Sequence, residues 1–151
     1  MILLAIDQST SATKAVLFDA QGQVLDRASR AHRQIYPQPG WVEHDAEEIW
    51  QNVLAVIQEV ANCNPERLTT LAALSLTNQR ETVVVFDRAT GRPLHNAMVW
   101  QCRRGDPICE QLRQQGHEPL VRSKTGLKID SYFSGSKLKW LMANKPELAA
   151  R

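Results

Sequence analysis

MILLAIDQSTSATKAVLFD, residues 1–19, reads as two apolar runs around one small polar loop. Residues 1–6 are apolar and end at Asp7. Residues 8–13 are polar and small, residues 15–19 are largely apolar again, and Gly22 marks a turn. Short apolar runs separated by turn residues predict paired strands. Residues 24–34 have mixed polarity and predict a third, partly exposed strand. The chain therefore opens as a three-stranded meander.

The elements further along extend this into a mixed α/β pattern. Residues 36–41 hold Pro37, Pro39 and Gly40 and read as an extended loop. Asp45 is a helix cap with Glu48 as capping-box partner. Ile49, Val53, Ile57 and Val60 then recur at helical spacing, with Trp50 and Leu54 widening the apolar stripe. That helix ends at 62–65. Residues 71–76 read as a buried strand, 83–86 as another strand closed by a turn at 90–91, and 97–100 as a short further one. Asp106 and Pro107 open a second helix that Gly116 stops, with Ile108 and Leu112 toward the core. Residues 124–133 read as a loop. Leu138, Leu141 and Met142 mark a third helix after Ser134. A fourth element begins at Pro146, five residues before the sequence stops, as though the sequence were a piece of something longer.

Length and charge set the outer bounds. The chain has 151 residues, enough for one domain with a core. It is 43% hydrophobic and 23% charged, the proportions of a globular protein in water. A formal net charge of +2 gives no reason to expect nucleic acid or an anionic membrane as partner. Residues 1–6 are too few to span a bilayer, and no basic segment precedes them as in a signal peptide. Three cysteines, Cys63, Cys102 and Cys109, suit a reducing compartment better than a disulfide framework.

Two loops carry chemistry. Residues 6–14, IDQSTSATK, bring one acid, four hydroxyls and a lysine between two strands. Small side chains let backbone N–H groups approach an anion, and Ser9, Thr10, Ser11 and Thr13 add donors. Lys14 adds a point charge, and Asp7 can hold a hydrated Mg²⁺. This combination suits a nucleotide phosphate, though it is no Walker loop, since GxxxxGK[ST] is absent. The competing reading is a Ser/Thr-rich hairpin whose hydroxyls satisfy their own backbone. Residues 77–81, TNQRE, place Arg80 beside Glu81. In a strand these side chains would point to opposite faces, whereas a wider loop lets both address one ligand. Guanidinium donates and carboxylate accepts, so the pair matches a ligand with neighbouring hydroxyls. A solvated turn with an inconsequential ion pair is the other reading. Trp100, in VWQCRRGD at 99–106, suits a pocket wall or a core position. Tyr132, in IDSYFSGSK at 129–137, suits a ligand contact or an ordinary half-buried ring.

Taken together, AIDQSTSATKAVLFD, QIYPQPGWVEHD, LTNQRETVVVF, NAMVWQCRR and SKTGLKIDSYFSGSKLKW resemble, in this order, the glycerol-phosphorylating branch of the FGGY carbohydrate kinase family. The similarity runs to about Trp140. PQPGWVEHD, TNQRE and VWQCRR are its specific part. The hydroxyl loop is shared more widely with actin-like ATPases. The resemblance implies an α/β, actin-like and ribonuclease-H-like ATPase fold, with a mixed sheet and flanking helices. Residues 1–151 would form part of the N-terminal domain, with the C-terminal domain outside this chain. It implies transfer of the ATP γ-phosphate to glycerol, giving sn-glycerol 3-phosphate, with Mg²⁺, in a cytoplasmic enzyme that forms homo-oligomers when intact. A kinase for a related small polyol, or a non-catalytic polyol- or nucleotide-binding module, are the alternatives.

The same resemblance distributes roles. Thr10, Ser11 and Ala12 fall on the phosphate-binding loop, with Thr10 also toward the substrate. Lys14 stands where an arginine often meets the nucleotide, and Asp7 matches the acid near magnesium. Arg80, Glu81 and Tyr132 fall on glycerol contacts, and Trp100 on a pocket wall. Relative to the family, Ser9 replaces a frequent glycine, Ala12 a frequent serine, and Lys14 an arginine, which removes a bidentate fork. The proton acceptor is implied to be the aspartate of a Gly-Asp-Gln motif beyond residue 151, so this chain alone would be inactive.

Overall fold

The computed structural model describes residues 1–150. They divide into two compact units. The first comprises residues 1–33 and 45–79, and the second residues 34–44 and 80–150.

The first unit is built on a four-stranded sheet. Strands β1 (Ile2–Gln8), β2 (Ala12–Phe18) and β3 (Val24–Ala31) form the antiparallel meander expected from residues 1–34. Helix α1 (Ala46–Cys63) follows, then the short α2 (Pro65–Leu68). Strand β5 (Leu71–Thr77) then runs parallel to β1, giving the order β3-β2-β1-β5. Strand alternation puts Ile2, Leu4 and Ile6 of β1 and Ala15 and Leu17 of β2 into one core. Helix α1 lies over β2 and β3 and adds Val56 and Val60, with Val53 and Ile57 partly buried beside them.

Three expectations for this unit need correction. Trp50 and Leu54 do not extend the buried stripe: they are exposed, because the face of α1 that meets the sheet is centred on Val56 and Val60. Asp45 caps α1 by accepting from the N–H groups of Glu47 and Glu48, but Glu48 does not complete a capping box. Its carboxylate instead accepts from Arg33 N and Nε, at 3.1 and 2.8 Å. Residues 71–76 do form a strand, but an exposed one. Leu74 and Leu76 are 55% and 64% exposed, since β5 holds the sheet edge beyond the reach of α1.

The second unit has little regular sheet. Strands β4 (Glu43–His44) and β6 (Ala97–Met98) pair antiparallel. Residues 83–86 are not a strand; isolated bridges join Val83 to Met98 and Phe86 to Pro93. Helices α3 (Asp106–Gln114), α4 (Glu118–Thr125) and α5 (Ser134–Asn144) follow, then a 3₁₀ segment at Pro146–Ala150. Gly105, not Asp106, occupies the cap position of α3. Cys109 is the buried residue of that helix, between the partly buried Ile108 and Leu112. Helix α4 takes the start of the expected 124–133 loop. Pro119 in its first turn and Gly126 at its left-handed C-cap (φ 73°) are the punctuation that marks it. On α5, Leu138 and Met142 are exposed, while Leu141 and Lys137 are the buried pair.

This unit has an unusually polar interior. Arg104 and Glu43 form a buried ion pair, Nη2 to Oε1 at 2.6 Å. The guanidinium carbon lies 4.0 Å from the Trp41 ring centre and 4.7 Å from that of Trp140. Burial opposes ionisation of Glu43, but hydrogen bonds from Asn96 and Arg104 outweigh it and hold this carboxyl below the usual range.

Candidate functional site

In the first unit the hydroxyl loop is a tight hairpin between β1 and β2. The Ser9 N–H and Oγ both donate to Ala12 O, at 3.0 and 2.9 Å. His32 stands behind it: its N–H donates to Ser11 O at 3.3 Å, and Nε2 lies 2.9 Å from Thr10 O. Gln79 reaches in from the middle of TNQRE, with Nε2 donating to Ser9 O at 3.3 Å. Four successive carbonyls, from Ser9 to Ala12, are thus taken up within the unit. That lowers the negative potential an approaching phosphate would meet. Thr13 does not share in the hydroxyl set expected to face an anion. It is fully buried and bonds Gln8 Oε1.

Asp7 and Lys14 face each other across β1 and β2, and Lys14 Nζ lies 3.0 Å from Asp7 Oδ2. Asp7 sits within β1 rather than leaving it. The two side chains are 41% and 45% exposed, so water screens the pair and it binds loosely. Among the described residues no three metal-ligating side chains converge. Mg²⁺ commonly takes one or two carboxylates and fills its octahedron with phosphate oxygens and water, so one accessible Asp7 carboxylate fits that manner of binding.

The second unit holds the other four candidates. Arg80 is exposed. Glu81 is the one non-glycine residue at positive φ among those described, at 61°. Strand β5 has already ended at Thr77, so Arg80 and Glu81 lie in a loop, and the left-handed backbone at Glu81 turns the chain there. The Glu81 carboxylate accepts from Ser134 Oγ at 3.1 Å, on the first residue of α5. Its neighbour Thr82 accepts the Trp100 N–H through Oγ1 at 3.2 Å. The Trp100 ring meets Tyr132 edge to face, with centroids 5.6 Å apart. Glu81, Trp100 and Tyr132 are thereby tied into one cluster by Thr82 and Ser134, two residues the sequence did not single out. Tyr132 and Trp100 also line a cleft of about 680 Å³ with Arg103, Asp106, Arg113 and Asp130. Arg80 and Glu81 are not among the residues lining it.

The Tyr132 loop is held from both ends. Its N–H donates to Asp130 Oδ1 at 2.9 Å; that bond, with Lys128 nearby, keeps the Asp130 carboxyl below its usual value. From beneath, Lys137 Nζ donates to the carbonyls of Ser131 and Tyr132, each at 2.6 Å, and of Phe133 at 3.4 Å. Burial pushes this ammonium below the usual lysine value.

A three-stranded meander, a covering helix and a parallel fourth strand behind a hydroxyl hairpin form the opening of an actin-like ATPase fold of the kind found in sugar kinases. A profile of the FGGY family of carbohydrate kinases, N-terminal domain, matches residues 2–151. The chain belongs to that family. It is 52% identical over 149 residues to a glycerol kinase of Polaromonas sp., covering 99% of this chain and 30% of the relative. It superposes on the Plasmodium falciparum glycerol kinase solved with ADP, with a TM-score of 0.89 and 33% identity, again over 99% of this chain and 30% of the other. A xylulose kinase from Rhodospirillum rubrum, 24% identical with a TM-score of 0.91, shares the fold over 99% of this chain and 30% of its own. The chain thus spans about 30% of the length of the relatives it matches. No described helix is long and apolar enough to cross a membrane.

Proposed function

We propose that this chain is part of the N-terminal domain of an ATP-dependent glycerol kinase, a phosphotransferase that forms sn-glycerol 3-phosphate. One observation carries the choice of glycerol: Glu81, Trp100 and Tyr132 belong to a single cluster. It offers a carboxylate acceptor, a phenol and an apolar wall, which match the hydroxyls and carbon edge of a small polyol. Arg80 adds exposed donors one residue away. Relatives named as glycerol kinases support the same reading.

In this proposal the hairpin of Thr10, Ser11 and Ala12 meets the nucleotide phosphates. Lys14 leaves its loose pairing with Asp7 to face them. Bound Mg²⁺, near Asp7, would neutralise charge on the transferring phosphoryl group. This chain's own work is then to hold glycerol and orient its terminal hydroxyl. The proton acceptor is the aspartate of a Gly-Asp-Gln segment elsewhere in the intact protein, so the 151-residue chain by itself turns nothing over.

The test is a coupled ADP-release assay on the intact protein. Glycerol-dependent ADP formation that requires Mg²⁺ is expected, with longer polyols much slower. Arg80→Ala should raise the KM for glycerol more than that for ATP. Turnover no faster with glycerol than without it would sink the assignment.

A further inference from the structure

Lys137 is wholly buried (0% exposed), on a helix face where Leu141 is its buried neighbour one turn on. An apolar side chain fills such a position without the cost of desolvating a cation. What distinguishes this position is its acceptors. Its ammonium donates to backbone carbonyls of three consecutive residues, Ser131, Tyr132 and Phe133. An ammonium carries three donors and no acceptor, which matches three converging carbonyls. Turning three successive carbonyls to one point fixes the backbone of the segment, and with it the direction in which residue 132 projects. Tyr132 leaves that segment 39% exposed, with its ring against Trp100. Ser134, three residues before Lys137 and on the same side of α5, holds the Glu81 carboxylate. The first turn of α5 therefore controls two groups that approach from different parts of the sequence.

We propose that Lys137 is the positioning residue of the polyol subsite. Its ammonium pins the carbonyls of residues 131–133 so that Tyr132 is set beside the Glu81 that Ser134 holds, and the two meet one small polyol together. This rests on the glycerol reading of Tyr132 and Glu81.

The experiment is Lys137→Met in the intact protein, a side chain of similar length without donors. Two quantities are read: amide exchange of the peptide covering 129–134 without substrates, and the KM values for glycerol and ATP. Faster exchange confined to that peptide is expected, with the glycerol KM raised about tenfold or more and the ATP KM within about twofold. Unchanged exchange overturns the proposal. So does exchange that quickens throughout the second unit while both KM values rise together, since that is a structural role only. If Lys137→Met does not accumulate folded, Lys137→Gln decides, because its amide keeps two donors. A glycerol KM between wild type and Tyr132→Ala supports the proposal, and a wild-type KM overturns it. Tyr132→Ala also separates the two ideas. If it leaves the glycerol KM unchanged, the glycerol reading fails. If it raises that KM while Lys137→Met does not, Lys137 alone is refuted.

Discussion

The two units hold their candidate site residues by different means. In the first, Asp7 and Lys14 sit opposite each other because strand register puts them there, and the hairpin between them closes on its own backbone. In the second, Glu81, Trp100 and Tyr132 lie on irregular segments, and side chains hold them: Thr82, Ser134 and the buried Lys137. Register costs nothing beyond forming the sheet. Side-chain anchoring requires polar groups to be desolvated and then satisfied. It gains reach, because it can join residues more than fifty positions apart.

The comparison is most open to attack at Glu43. Glu43→Ala leaves Arg104 buried without its counter-charge and should destabilise the second unit by about 3–5 kcal/mol. Hydrogen exchange read unit by unit checks this: amides of residues 97–109 should open, while those of β1 and β2 keep their protection. Equal loss in both units would mean that they do not differ in this way. The same pair predicts an acid response. The folded carboxyl titrates below its unfolded value, so its stabilisation is complete above the unfolded value. It is lost as pH falls from about 4.3 through the folded value. Exchange in the second unit should therefore rise first on acidification.

Glu81 gives the next effect. Glycine accepts φ of 61° without the crowding a Cβ meets there. Glu81→Gly should keep the melting temperature at or above wild type while kcat/KM for glycerol falls about tenfold to a hundredfold, the loss of a hydrogen bond to a charged group. A fall in both would assign Glu81 to folding instead of binding. The smallest effect belongs to the first unit. Lys14→Ala should change stability by no more than about 1 kcal/mol, because its partner Asp7 is well exposed. A raised KM for ATP with intact stability would mark Lys14 as a nucleotide contact.

The first unit was the more legible in sequence for the same reason. Two apolar runs around one polar loop in residues 1–19 mark both strands and the hairpin between them, and Asp45 announces α1. The second unit's short bridges at Val83 and Phe86 carry no period long enough to read. Its cluster depends on contacts such as Ser134 to Glu81, 53 residues apart, which no local pattern records. Lys137 is the plainest case. Charge predicts exposure, and only the convergence of three carbonyls makes burial possible. What could be read there was the resemblance of whole motifs, which named Glu81, Trp100 and Tyr132 but not the residues that join them.

Strand β5 has a practical side. One edge of its backbone has no neighbouring strand in the described sheet, and Leu74 and Leu76 stand bare beside it. An uncovered apolar edge is a template on which another chain can lay a strand. At high concentration the isolated polypeptide is therefore prone to stack into insoluble material from this margin. Charged residues at 74 and 76 would be the first remedy for anyone preparing it for spectroscopy.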